Sequence, residues 1–286
     1  MVKGKVYLPM GGQKETIYNV LIFKNNVNER IETTAYIPEG VTHIDMFLVS
    51  GGRNGRSYGG GGGFALSWFD VDVTEIPGFD PNERNIDILV GRGGMSRDHG
   101  GEPSRVGNDS TIPVNTDNRL AVDFTSKFPW NDAPYTVAGA TSYSSDGIWG
   151  GNGVTDGTDA NGQGYQGGSD GIEGPGTNGS QGFSTRAFNQ KYDEVAEEWV
   201  TNDPNSTNEL FSGAGSARTT NAELDPTPGG EVGGGAGGRV GDAGLGIDPF
   251  EGDSGVPGTG GGGGAPSGGT TGRHGGSGCV MIRYKI

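Results

Sequence analysis

The side chains that could do chemistry are few in this chain and stand far apart. Its three histidines, His43, His99 and His274, are too scattered to form a ligand set, and a single cysteine, Cys279, excludes an intramolecular disulfide framework. His43 falls on an expected strand, where its role would be structural, and Cys279 falls in the last strand as a buried, inert thiol. A hydrolase nucleophile would need a GxSxG elbow between a strand and a helix, and no such context occurs. Chance GxG matches, such as the one at 233–238, lack the strand-to-helix unit and the later acidic partner that dinucleotide binding requires. A GxxxxGK[ST] phosphate loop is absent. The stretch from Asp159 through Asn161 to Gly164, with Asp170 beyond it, echoes a calcium loop. Gln163 replaces a carboxylate there and flanking helices are not indicated, so a polar turn is expected. These residues point to a protein that is not an enzyme and has no metal and no cofactor.

A different kind of chemistry, contact rather than catalysis, is open to five aromatics in loop-like surroundings: Trp130, Tyr135, Tyr143, Trp149 and Tyr165. Exposed tryptophan and tyrosine offer a large, rigid area that stacks on sugars or protein surfaces, which makes these five the candidate receptor-binding residues. The same side chains could equally cap glycine segments or pack beneath loops.

Whatever positions those aromatics must be built from an unusual composition. Sixty of 286 residues are glycine and only 31% are hydrophobic, so an ordinary apolar core must be thin. Low hydrophobicity with a net charge of -15 is also the signature of disorder. Against disorder, the aromatics gather in strand-like segments instead of being diluted evenly. The acidic balance argues against a nucleic-acid partner, because a phosphate backbone needs clustered lysine and arginine. An acidic surface suits solubility and repulsion among many copies, and gathering divalent cations is the alternative use. The opening MVKGKVYLPM has no apolar stretch of signal-peptide length, and no window approaches a membrane span. Synthesis in the cytosol and no membrane insertion are therefore expected.

Period-two apolar patterning marks the first fifty residues as strand-rich, with strands near Val6 and from Ile17 to Phe23 and a turn at Lys24-Asn25-Asn26. Further strands are expected near 41–49, 85–91 and 279–286. If these three share a sheet, the glycine-rich stretches between them are excursions that leave the sheet and return. Phe188, Tyr192, Val195 and Trp199 follow helical spacing after Ser184-Thr185 and before Asp203-Pro204, which predicts one short α-helix inserted there. The island from Asn108 to Ala138 reads as an ordered loop or hairpin.

Glycine dominates 147–182 and 213–278, and it comes in runs: Gly59, Gly60, Gly61, Gly62 and Gly63 form one, Gly260, Gly261, Gly262, Gly263 and Gly264 another. A collagen helix needs glycine at every third position, and the stretch from Gly241 to Ile247 breaks that period. Calcium-binding nonapeptide rolls need a GGxGxDxUx repeat, which the stretch from Gly150 to Asp156 misses. Flexible linkers lack the Trp149, Tyr165 and Phe250 that punctuate these runs. The remaining architecture is a packed array of extended glycine segments near polyproline II geometry, with backbone hydrogen bonds between neighbours in place of an apolar core. The fold class expected is thus mainly β with an irregular glycine-rich body: a small β-sheet or sandwich, packed polyglycine II helices and one short helical insertion.

The segments IPEGVTHIDMFLVSGG, GGGGGFALSW and NIDILVGRGG, then GFSTRAFNQ, ELFSGAGSA and the closing GGSGCVMIRY, resemble in order the glycine-rich domains of bacteriophage tail, fibre and adhesin proteins. The resemblance covers 33–284, and this colinearity is more specific than any single glycine motif. It divides the chain into an N-terminal strand-rich attachment segment, 1–32, and a glycine-rich domain, 33–286. The resemblance implies a virion structural protein assembled in the host cytoplasm, as a tail-fibre, tail-tip or baseplate-associated adhesin that contributes to host attachment. Its partners would be other virion proteins, further copies of itself (a trimer being one arrangement) and a host surface receptor. Two alternatives remain open on the residues: a capsid decoration or head-fibre protein, and, in another class, a calcium-binding surface module or hydrolase.

Overall fold

The computed structural model describes residues 2–6, 16–55, 59–63, 65–95, 100–108, 135–137, 183–184, 190–193, 198–201, 210–211, 215, 218, 222–223, 225–226, 228–229, 233–267 and 273–286. Among them the structure is mainly β, with two antiparallel sheets and almost no helix. The strands in chain order are β1 (Val2–Val6), β2 (Thr16–Lys24), β3 (Ile31–Tyr36), β4 (His43–Val49), β5 (Ala65–Asp72), β6 (Asn85–Val90), β7 (Ser104–Val106), β8 (Thr136–Val137), β9 (Phe183–Ser184), β10 (Gln190–Asp193), β11 (Glu198–Thr201), β12 (Leu210–Phe211) and β13 (Cys279–Lys285). A single 3-10 turn, Val73–Glu75, is capped by Asp72, whose carboxylate accepts from the backbone N–H of Thr74.

The first sheet runs β1-β2-β13-β4-β5 and the second β3-β6-β7-β8. The closing strand β13 lies between β2 and β4, pairing Val280 with Phe23 on one side and with Leu48 on the other. Strand β2 therefore precedes residue 33 in the chain yet is hydrogen-bonded to the last strand. The expected strands at 41–49 and 279–286 do share a sheet, whereas the one at 85–91 belongs to the second, between β3 and β7. Alternation along each strand builds one apolar cluster from both sheets: Ile44, Met46, Leu48, Val280 and Ile282 from the first, Ala35, Ile86, Ile88, Val90 and Val106 from the second.

The helix expected around Phe188 to Trp199 is not formed. Gln190–Asp193 and Glu198–Thr201 instead make an antiparallel pair, β10 with β11, in which Tyr192 stands opposite Trp199. The spacing of four and three residues suits a helix, but tyrosine, tryptophan, valine and threonine also favour strands, and tertiary context decides between such local preferences. The family-like pieces GFSTRAFNQ and ELFSGAGSA meet directly, because Phe183–Ser184 pairs with Leu210–Phe211.

Beyond the sheets the chain continues in glycine segments that carry no strand or helix. Their backbone groups bond to other segments, and the run 260–265 is the hub. Gly260 N–H donates to the Ser277 carbonyl at 2.8 Å, Gly263 N–H to Arg53 at 2.9 Å and Gly264 N–H to Asp253 at 2.9 Å. In return the carbonyls of Gly260, Gly261, Gly262, Gly263 and Ala265 accept from the N–H groups of Gly63, Gly276, Gly235, Gly60 and Gly238 at 2.6 to 2.8 Å. The partners belong to five segments, 51–55, 59–63, 233–238, 251–256 and 273–278. A strand in a sheet has hydrogen-bonded neighbours on two sides only, so this body is a three-dimensional network and not a continuation of either sheet. Each bond contributes about 1 kcal/mol net, and a buried N–H left unpaired costs about 1–3 kcal/mol.

The packing explains why these segments must be glycine. A Cβ on Gly262 would fall on the backbone carbonyl of Gly60, which is itself held by the N–H of Gly215 at 2.8 Å. Neither backbone can yield without breaking bonds. At the turn 257–260 the requirement is different: Gly258 and Gly260 adopt φ of +80° and +72°, where side chains are strained.

Sheets and body are joined by polar contacts. Ser104 Oγ donates to the Val49 carbonyl at 2.7 Å and accepts from Gly91 N–H at 3.0 Å. Glu102, only 3% exposed, takes Arg30 Nε and Nη2 at 2.9 and 3.0 Å and Arg92 Nε at 2.7 Å. A carboxylate this deep is tolerated because two guanidinium groups meet it, and its hydrogen bond raises the pKa of Arg30.

Gly262→Val is expected to abolish cooperative thermal unfolding, a loss above about 4 kcal/mol, because the obstacle is backbone. Gly244→Ala, whose new Cβ meets only Asp242 Oδ1 at 3.1 Å, should leave the melting profile nearly unchanged. Circular dichroism melts of the two variants compare them directly.

Candidate functional site

The order of segments fixes which turns lie where. The chain leaves the first sheet from β4 into 51–55 and re-enters it through 59–63 and β5; it leaves the second from β6 into 91–95 and re-enters through 100–103 and β7. The segment 273–278 runs into β13, so its far end is residue 273. By the pairing of these segments, 238 and 251 lie at that same far end, where Ser267 Oγ donates to Glu251 Oε1 at 3.0 Å and Arg273 Nε donates to the Glu251 carbonyl at 2.8 Å. The turn 257–260 is at the near end, with Gly258 beside Lys24 and Asn25 at the end of β2.

One complete connection at the far end is described, 239–250, and it is a hairpin. Arg239 and Phe250 exchange N–H to carbonyl bonds at 2.8 and 3.0 Å, and Asp242 and Ile247 do the same at 2.8 and 2.9 Å. Asp242 then shapes the turn, its Oδ1 accepting from Gly244 N–H at 2.7 Å and Leu245 N–H at 3.3 Å. Gly246 turns the chain at φ +70°, and Leu245 is left 56% exposed at the tip. Asp248, Glu251 and Asp253 stand exposed along its flank and base. An apolar tip held by a rigid turn and flanked by acids is a contact surface of low conformational cost. Sequence reading missed it because its one aromatic, Phe250, sits at the base and not at the tip; the signal was Asp242-Ala243-Gly244-Leu245-Gly246 inside a glycine tract.

Of the five aromatics singled out, Tyr135 is described. It is half-buried, packs on the apolar cluster and meets Trp68 edge-on with ring centroids 5.8 Å apart. Burial, with Glu75 and Asp72 nearby, raises its phenol pKa. Trp130, Tyr143, Trp149 and Tyr165 lie outside the described residues, as do the run 147–182 with the calcium-like stretch, His99 and most of the island 108–138. Gly59 to Gly63 and Gly260 to Gly264 are all buried in the network.

Two of the three histidines are also described. His43 is exposed at the start of β4, with Nδ1 3.0 Å from Thr42 Oγ1, and borders an open cleft of about 430 Å³ with Asp45, Asp70 and Arg283. In that cleft Asp45 accepts from Arg283 Nε at 2.8 Å and from Asp70 N–H at 2.9 Å, so its carboxylate is already held. His274 is exposed on the glycine body, far along the chain from His43. Among the described residues no group of three His, Cys, Asp or Glu could hold a metal ion. No helix among them is long and apolar enough to cross a membrane.

A β scaffold that continues into a buried body of glycine backbone, with an exposed hairpin at its far end, defines the class: a glycine-rich β protein. The chain belongs to the glycine-rich domain family, whose profile matches residues 28–285. Among curated proteins no relative matches it.

Cys279 is fully buried in β13, and desolvation pushes its thiol pKa from 9.0 up to about 12. A disulfide reagent at pH 8 is therefore expected to leave the native thiol untouched and to react once the chain is unfolded. The proton is held more tightly in the folded state, so this group's contribution to stability is full below pH 9 and is lost as pH rises towards 12.

Proposed function

We propose that this protein is a non-enzymatic structural protein of a bacteriophage virion, with a tail-fibre, tail-tip or baseplate position and a part in host attachment. The observation that carries the reading is the polarity of the chain. The closing strand begins in the glycine body and ends at Lys285, away from it, while the hairpin 239–250 is displayed at the body's opposite end. A protein with one end for anchoring and a hydrogen-bonded hairpin held at the other suits display. Polyglycine II helices are the reading of the glycine segments that their bonding supports, since a three-residue period directs backbone donors and acceptors to several sides and 260–265 bonds to five segments. The two sheets close the near end as a sandwich over their shared apolar cluster. The acidic surface keeps the protein soluble before assembly, and other virion proteins hold the sheet end.

Staining of a panel of bacterial strains with fluorescently labelled protein tests attachment. Binding to at least one strain, reduced about tenfold by Leu245→Asp with the melt unchanged, is the expected outcome. A folded protein that binds no strain in the panel removes the receptor role. Gold-labelled antibody on intact virions then separates a tail position from capsid decoration.

A further inference from the structure

The second sheet ends in an edge that nothing in the described chain covers. Strand β3 pairs with β6 on one side and with no described strand on the other. The phase of the ladder says which groups are open. Ile37 N–H donates to the Arg84 carbonyl at 2.9 Å, and Gly107 N–H donates to the Asp87 carbonyl at 2.7 Å. With β3 and β6 antiparallel, and Thr34 opposite Asp87, the backbone groups of Ile31, Thr33 and Ala35 face β6. Those of Glu32, Thr34 and Tyr36 point outward, and all three residues are exposed, Tyr36 at 51%.

Edge strands of this kind are pairing templates, and proteins that must not use them blunt them with lysine, proline or a bulge. Along IETTAY there is no lysine, no proline and no bulge, and the only charge is Glu32. We infer that β3 pairs antiparallel with β3 of a second copy of this chain about a twofold axis at Thr34, joining two four-stranded sheets into one.

The register follows from the outward residues. Centred on Thr34, the two copies place Thr34 opposite Thr34 and Glu32 opposite Tyr36, so that every outward group has a partner and no like charges meet. A centre at Glu32 would set two carboxylates against each other, and a centre at Tyr36 would run past the end of the strand at Pro38. On the core-facing side the same register sets Ile31 opposite Ile37, which extends the apolar cluster across the junction. One strand pair buries less than the roughly 1,200 Å² of a standard interface, so the dimer is concentration-dependent and favoured where copies are held close together. The inference is independent of host attachment, since the hairpin 239–250 takes no part in it.

Sedimentation and light scattering across a concentration series should show a particle of twice the 29.4 kDa chain mass. Thr34→Lys places two like charges on the axis and should raise the dissociation constant at least about tenfold with an unchanged melt of the monomer. Thr34→Cys should cross-link copies under mild oxidation, because a hydrogen-bonded antiparallel pair sets Cα atoms about 5.5 Å apart, within disulfide reach. Thr42→Cys, exposed elsewhere, should not. A chain that stays monomeric throughout the series, forms a trimer, or dimerises equally well as Thr34→Lys without cross-linking through Thr34→Cys overturns the inference.

Discussion

The structure depends on backbones approaching one another closely enough for buried N–H and carbonyl groups to bond directly between segments. In an ordinary domain side chains hold backbones apart and apolar packing supplies the stability. Here the glycine segments meet with no Cβ between them. The interior around 260–265 is made of peptide groups whose bonding must be complete, because an unpaired buried amide costs more than a made bond returns. This is why a chain with so little apolar material can still enclose a body, and why one methyl group in the wrong place matters more than a lost contact.

The apolar cluster and the glycine network are two interiors of different physics placed end to end. The first relies on alternation along strands, with Ile44, Met46 and Leu48 of one sheet gathered with Ile86, Ile88 and Val90 of the other. The second is indifferent to apolar area. The seam between them is polar and specific: Ser104 bridges Val49 and Gly91, and Glu102 is clamped by Arg30 and Arg92. Charged groups at such a seam fix where each segment leaves its sheet, a register that non-directional apolar contact would leave looser.

Much of this could be read from the residues. Strands near 41–49, 85–91 and 279–286 are visible because alternating apolar residues have one explanation when glycine and proline bound them. The buried inert thiol of Cys279 follows from its place in the last of these strands. The stretch around Tyr192 and Trp199 was not legible, since a twelve-residue window satisfies a helical and a strand pattern at once and the choice falls to neighbours such as β1. Nor was the hairpin at Leu245 distinguishable from the glycine tract containing it. Its identity rests on the bonds between Arg239 and Phe250 and between Asp242 and Ile247, which composition does not encode.

By itself the sequence determined that the body could not be an oil-drop core, that a few alternating segments would be strands, and that glycine must stand where backbones meet. Only the tertiary structure decided which segments are neighbours. Glycine has no side chain to select a partner, so the pairing of Gly262 with Gly235, or of Gly60 with Gly263, is set by the strands and polar clamps that aim each segment. The runs of glycine state that close approach is required, and the fold states to what.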